Sequence, residues 1–168
     1  MIQLIAKDVQ WDIDIDEVND YLDEISEESA AELLELPLRT YHNMTEEERH
    51  DYAYDCIHHN KLRAAEILGV PEDVAIPEGI YDPEDISDWL SDEYGWCHEG
   101  FSIGCDATEE EIQKNISDYE SMITGYKTAG VDLSDEIKEL NGKILHLKNV
   151  QQALQNEAAL EKEGQDRE

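Results

Sequence analysis

Forty-three of the 168 residues are Asp or Glu and only twelve are Lys or Arg, a net charge of −31. Self-repulsion on that scale works against any compact state. A fold is open to this chain only if its apolar residues are gathered onto one side of each element and the carboxylates stay in water. The apolar content is equal to that demand. It reaches 40%, with eight Tyr and three Trp, and it recurs periodically where solvating acidic tails are poor in aromatics. The length fits one compact domain with an appendage.

The same charge restricts partners. A surface this acidic repels nucleic acid, phosphorylated ligands and anionic membranes, and is drawn to basic clefts and to cations. No apolar run reaches eighteen residues, so no membrane-spanning helix is expected. Residues 1–7 lack the apolar core and cleavage site of a signal peptide, and Cys56, Cys97 and Cys105 are too few for a disulfide framework. Both point to a reducing cytoplasm.

The charge is unevenly placed. Residues 1–105 hold 28 acidic and 5 basic side chains; residues 106–168 hold 15 and 7. Two stretches contain no Lys or Arg: residues 12–35, with eleven acids, and residues 72–99, with ten.

Residues 2–5 and 9–15 favour extended structure. Val9, Trp11, Ile13 and Ile15 alternate with polar residues at period two, predicting a strand with one carboxylate-lined face. Val18, Tyr21, Leu22 and Ile25 then predict a helix over 16–27, and residues 29–36 a short helix stopped by Pro37. Thr45-Glu46-Glu47-Glu48 is a capping box opening a helix to about His59. Residues 62–68 predict another helix, and 71–81 a loop with two prolines. Asp82-Pro83 starts a helix that carries Ile86, Trp89 and Leu90 and ends at Gly95. Residues 96–103 read as a strand.

A second capping box, Thr108 to Glu111, opens two apolar stripes: Ile112, Ile116, Tyr119, Ile123 and Tyr126, then Ile137, Leu140, Ile144, Leu147 and Leu154. A Gly130 break between them predicts an antiparallel helical hairpin. The expected fold class is α+β and predominantly helical. An acidic domain over 1–105 would be followed by the hairpin over 106–160 and a frayed tail over 161–168. The strands near 9–15 and 96–103 are expected to pair and to pack on the helix holding Trp89.

Chemical motifs are sparse. Asp12, Asp14, Asp16, Asp20 and Asp23 match the ligand spacing of a calcium loop, but Glu17 stands where that loop needs Gly and Asp23 where it needs Glu. The six histidines make none of the short ligand pairs of a zinc site. The surroundings of Cys97 are acidic, which opposes a nucleophilic thiolate. No phosphate-binding loop is present. Trp11 and Trp89 fall on apolar faces and read as core, whereas Tyr94 and Trp96 suit either core or an interface anchor. No metal, cofactor or catalytic residue is expected, and the chain reads as a non-enzyme.

Two segments together carry a resemblance. Val9-Gln10-Trp11-Asp12-Ile13-Asp14 resembles the "WDTD" opening of small proteins of unknown function from phages and mobile elements of gut bacteria. Residues 85–97, Asp-Ile-Ser-Asp-Trp-Leu-Ser-Asp-Glu-Tyr-Gly-Trp-Cys, resemble their closing "DIADWLSDEYGFC" segment. In those proteins the two pieces lie close together; here about seventy residues part them. The resemblance covers about a quarter of the chain and implies a phage or prophage accessory protein acting in a bacterial host. By size and acidity alone the chain is also similar to antirestriction and anti-CRISPR proteins.

These features lead to an expected function: inhibition of a host defence nuclease, first of all an RNA-guided one, by nucleic-acid mimicry. Its partner-binding residues would be Asp12, Asp14, Asp16, Asp20, Asp23, Glu24, Asp82, Asp85, Asp88, Asp92, Glu93 and Tyr94. The partner would be a basic nucleic-acid-binding protein, with no direct contact to nucleic acid or membrane. The alternative is a binding adaptor that uses the hairpin, as a homodimer if its stripe is unpaired.

Overall fold

The computed structural model describes residues 1–165. The protein is α+β and predominantly helical, in the order β1 (Leu4–Lys7), α1 (Ile15–Glu24), α2 (Glu27–Leu33), α3 (Leu38–Asn43), α4 (Glu46–His58), α5 (Ala64–Leu68), β2 (Val74–Ala75), α6 (Pro83–Tyr94), β3 (Ser102–Cys105), α7 (Glu109–Thr128) and α8 (Ser134–Gln165). No helix is long and apolar enough to cross a membrane among the described residues. The chain forms two compact units. The first comprises Met1–Asp8, Asp73–Leu90 and the chain from Phe101 onward; the second comprises Val9–Glu72 and Ser91–Gly100.

The first unit is built on a three-stranded antiparallel sheet in the order β2-β1-β3. Ile5 pairs with Ala75 on one side and with Gly104 on the other. Leu4, Ala6 and Ile103 are buried. The long hairpin completes this unit. Ile112, Ile116 and Ile123 of α7 meet Leu140, Ile144, Leu147 and Val150 of α8, all buried. At about 1.5 Å per residue α8 is roughly 48 Å long and α7 roughly 30 Å, so α8 outruns its partner. Its surplus length serves the sheet: the Glu157 carboxylate accepts from the Ile103 amide at 3.1 Å.

One turn group of α8 holds the unit's buried polar centre. His146 is 6% exposed. Its Nε2 lies 2.8 Å from the Ile2 carbonyl, which can only accept, so Nε2 carries the proton. In the neutral ring Nδ1 then accepts from the Tyr81 hydroxyl at 2.6 Å. A single imidazole thereby ties α8 to the chain before β1 and to the segment before α6.

The second unit is helical. Val18 and Leu22 of α1, Ala30, Ala31 and Leu34 in and after α2, Tyr41 of α3, Ala53 and Cys56 of α4, and Leu62 and Ile67 around α5 form one core. Three of its helix starts are set by side-chain caps, Asp14 with Glu17 at α1, Ser26 at α2, and Thr45 with Glu48 at α4. Gly69 ends α5 and Gly95 follows α6, both at positive φ, a conformation that costs glycine nothing.

Several expectations are corrected. Residues 9–15 do not form a strand. Asp14-Ile15-Asp16-Glu17 is itself a capping box, and the helix it starts at Ile15 overrides the period-two alternation. The expected strand at 96–103 is shorter and later, at Ser102–Cys105, and its partner is β1 rather than residues 9–15. Trp11 and Phe101 belong to different units. The two motif segments nevertheless meet in the second unit. Trp11 bridges His98, Gln10 exchanges hydrogen bonds with Glu99 and Gly100 (2.8 and 2.9 Å), and the Asp12 amide donates to the Cys97 carbonyl at 2.9 Å. Pro37 caps a further helix, α3, that was not anticipated, and β2 lies in the expected loop 71–81. The boundary expected between residues 105 and 106 falls inside the first unit. Of the expected frayed tail, residues 161–165 continue α8, and 166–168 lie outside the described residues.

Replacing Tyr81 with Phe strands the buried Nδ1 of His146 and should lower unfolding free energy by about 1–3 kcal/mol. His146→Ala should cost at least as much. Urea denaturation followed by circular dichroism checks both.

Candidate acidic interaction surface

Every Asp and Glu among the expected partner-binding residues is exposed; Tyr94 is half-buried. α1 turns Val18 and Leu22 inward, leaving Asp16, Glu17, Asp20, Asp23 and Glu24 outside. Five carboxylates over a ten-residue helix give about one per 3 Å of axis. α6 buries Ile86 and Leu90 and exposes Glu84, Asp85, Asp88, Asp92 and Glu93, about one per 3.6 Å. A single DNA strand carries about one phosphate per 3.4 Å of helix axis. Both helices therefore present carboxylates at nucleic-acid density.

Not all twelve residues are equally free. Asp14 is the N-cap of α1, accepting from the Asp16 amide. Asp82 accepts from the Glu84 amide at 2.9 Å as α6 begins. Asp23 is taken by His50, whose Nε2 lies 2.9 Å from its Oδ2. Among the described residues no Lys, Arg or His pairs with Asp12, Asp16, Asp20, Glu24, Asp85, Asp88, Asp92 or Glu93.

The set is also divided. Asp12 to Glu24 lie in the second unit with Asp92, Glu93 and Tyr94, whereas Asp82, Asp85 and Asp88 lie in the first. The Tyr94 ring stacks at a tilt on Trp11, with centroids 5.3 Å apart, and Trp11 Nε1 donates to the Pro71 carbonyl at 2.9 Å. This half-buried aromatic pair fixes the end of α6 beside residue 12. Trp89 and Trp96 are half-buried as well.

Sequence reasoning missed the cation–carboxylate network that holds the second unit's helices. Arg49 of α4 donates from Nη2 to Glu27 of α2 at 2.7 Å and from Nε to the Tyr41 carbonyl at 3.1 Å, and lies 4.2 Å above the Tyr41 ring. His42 reaches the other Glu27 oxygen at 2.7 Å. The hydrogen bonds from His42 and Arg49 hold the Glu27 carboxyl below its ordinary value of 4.5. The same ion pair raises Arg49. Burial pushes the Tyr41 phenol up. The visible signal was the scarcity of cations: with so few Lys and Arg among so many acids, each is a candidate for a structural pairing, as Arg49 with Glu27.

In the first unit a cavity of about 640 Å³ is lined by Ile2, Glu78, Asp106, Glu111, Tyr119, Lys143 and His146, among others. Two of its charged walls, Lys143 and Glu111, are engaged. Lys143 is raised by its hydrogen bond to Glu139, and Glu111 is lowered by the Thr108 amide and hydroxyl that it caps. Cys105, at the end of β3, is raised chiefly by burial, which disfavours a reactive thiolate. Among the described residues no nucleophile, base and orienting group converge there.

Comparison with family models, with curated proteins and with solved structures finds no match for this chain.

A carboxyl held below its ordinary value stabilises the fold above the unfolded value, and that contribution is lost as pH falls through the folded value. Glu27→Gln should therefore lower stability at pH 7, with the gap to wild type closing below about pH 4.5. Thermal melts at stepped pH read this directly.

Proposed function

We propose that this protein is a non-enzymatic inhibitor that occupies the basic nucleic-acid-binding cleft of a bacterial defence nuclease, an RNA-guided one in the first instance. The observation that supports it is the spacing of exposed carboxylates on α1 and, separately, on α6, close to that of phosphates, most of them without a basic partner among the described residues. A nuclease cleft gains much of its affinity for DNA or RNA by neutralising phosphates with Lys and Arg and releasing their counterions. A rigid helix with carboxylates along its outer face offers that cleft the same neutralisation and blocks substrate entry. Tyr94, braced on Trp11, supplies an aromatic edge next to the carboxylates, the kind of group that anchors protein interfaces.

Exposed apolar side chains on the hairpin favour a second reading, an adaptor. Met122 is 42% and Leu145 60% exposed. Ile116, Ile123, Leu140 and Leu147, by contrast, are buried within the hairpin, so the regular stripe is already partnered.

Charge reversal separates the two. Asp12, Asp16 and Asp20 would be changed to Lys together, and Asp85, Asp88 and Asp92 in a second variant; Asp14 is left alone because it caps α1. Bound protein is first recovered from bacterial extract, then titrated with salt. Single reversals should cost about 1 kcal/mol or less. Each triple should weaken the complex and flatten its salt dependence, with the fold unchanged by circular dichroism. Inhibition that persists at high salt with both triples reversed rules mimicry out. Loss on Met122→Asp with Leu145→Asp instead points to the adaptor.

A further inference from the structure

An acidic surface leaves one feature of the second unit unexplained. Glu46 and His50 stand four residues apart on α4, so their side chains share a face. Asp23, in the last turn of α1, meets them there. One ligand atom from each of the three lies within 4.8 Å of the others, and His50 Nε2 is already 2.9 Å from Asp23 Oδ2. The trio joins two carboxylate oxygens to one imidazole nitrogen, a mixed donor set rather than a patch of acids.

Two further observations bear on it. Asp23 and Glu46 are exposed and His50 half-buried, so an ion can enter from solvent. Arg49, beside His50 in sequence, is committed to Glu27 and Tyr41, and among the described residues no Lys or Arg pairs with Asp23 or Glu46.

We propose that Asp23, Glu46 and His50 form a binding site for a divalent transition-metal ion of the zinc class, joining α1 to α4. Zinc takes nitrogen and oxygen ligands at about 2.0–2.2 Å, and three protein ligands with water in the fourth position is an established arrangement for it. At those bond lengths the donor atoms sit about 3.3 Å apart, so the His50–Asp23 contact opens slightly and Glu46 closes in. The imidazole selects against calcium and magnesium, which take oxygen. Two carboxylates balance the dication, and the surrounding negative potential concentrates it. Because the three donors converge only in the folded unit, occupancy stabilises that fold by mass action. Asp23 is the one expected partner-binding residue in the site, and it is already held by His50.

The test uses the full chain, stripped with chelator and titrated with Co²⁺ and then Zn²⁺. One equivalent of Co²⁺ should develop visible d–d bands without a thiolate charge-transfer band, Zn²⁺ should displace it, and the melting temperature should rise with either ion. Glu46→Gln and His50→Gln should each weaken binding at least about tenfold. His42→Gln and His59→Gln should leave it unchanged, which separates this site from the other histidines. Glu46 is exposed at the start of α4, so E46Q tests the site even if H50Q loosens the apo fold. Binding unchanged in E46Q, displacement of Co²⁺ by equimolar Ca²⁺, or a titration without saturation would overturn the proposal.

Discussion

Repulsion among like charges sets the terms on which this chain folds. Carboxylates that cannot find cations have to face water, so each helix can be buried along one stripe only, and the tertiary structure rests on narrow apolar seams. Where a carboxylate is brought into the framework it is neutralised by something specific. In the second unit that is Arg49, the histidines of α3 and α4 and the amides at the starts of α1 and α4; in the first it includes the amides at the start of α7. The capping boxes put acidic residues where the helix dipole favours them, so part of the charge excess stabilises secondary structure.

The scarcity of cations also separates two kinds of carboxylate. Glu27 and Asp23 are held by basic side chains between helices. Asp16, Asp20 and Glu24, on the same or the next helix, are not, and they project outward. Structural and outward-facing acids therefore alternate within a dozen residues, and composition alone does not distinguish them. A partner with a basic cleft would meet the second kind while the first keeps the scaffold in shape.

How much was legible in the sequence follows from how local each cause is. The helices begun by Thr45 and Thr108, the helix opened by Pro83 and the heptad-like hairpin are each fixed within a few residues, and all were readable. Residues 9–15 carried two local signals, alternation and a cap, and the weaker of them suggested a strand. The pairing of β1 with β3 joins residues about a hundred positions apart, and four-residue strands leave little pattern to find. On the candidate surface, the exposed acids of α1 and α6 were legible because their apolar partners are spaced as a helix face. The meeting of Asp23 with His50, and of Arg49 with Glu27, depends on how helices pack and left no mark in spacing.

The way the chain is threaded has a consequence for its synthesis. It passes between the two compact units four times, at residues 8–9, 72–73, 90–91 and 100–101. β1 is made before the second unit, yet its β3 partner emerges only after the whole of that unit has been made. The helical unit has everything it needs by residue 100, whereas the central strand β1 can pair only with the two-residue β2 on one edge, its other edge open, until β3 arrives. Order of assembly is thus built into the threading: the acidic helical unit can close early, and the sheet around β1 is completed late.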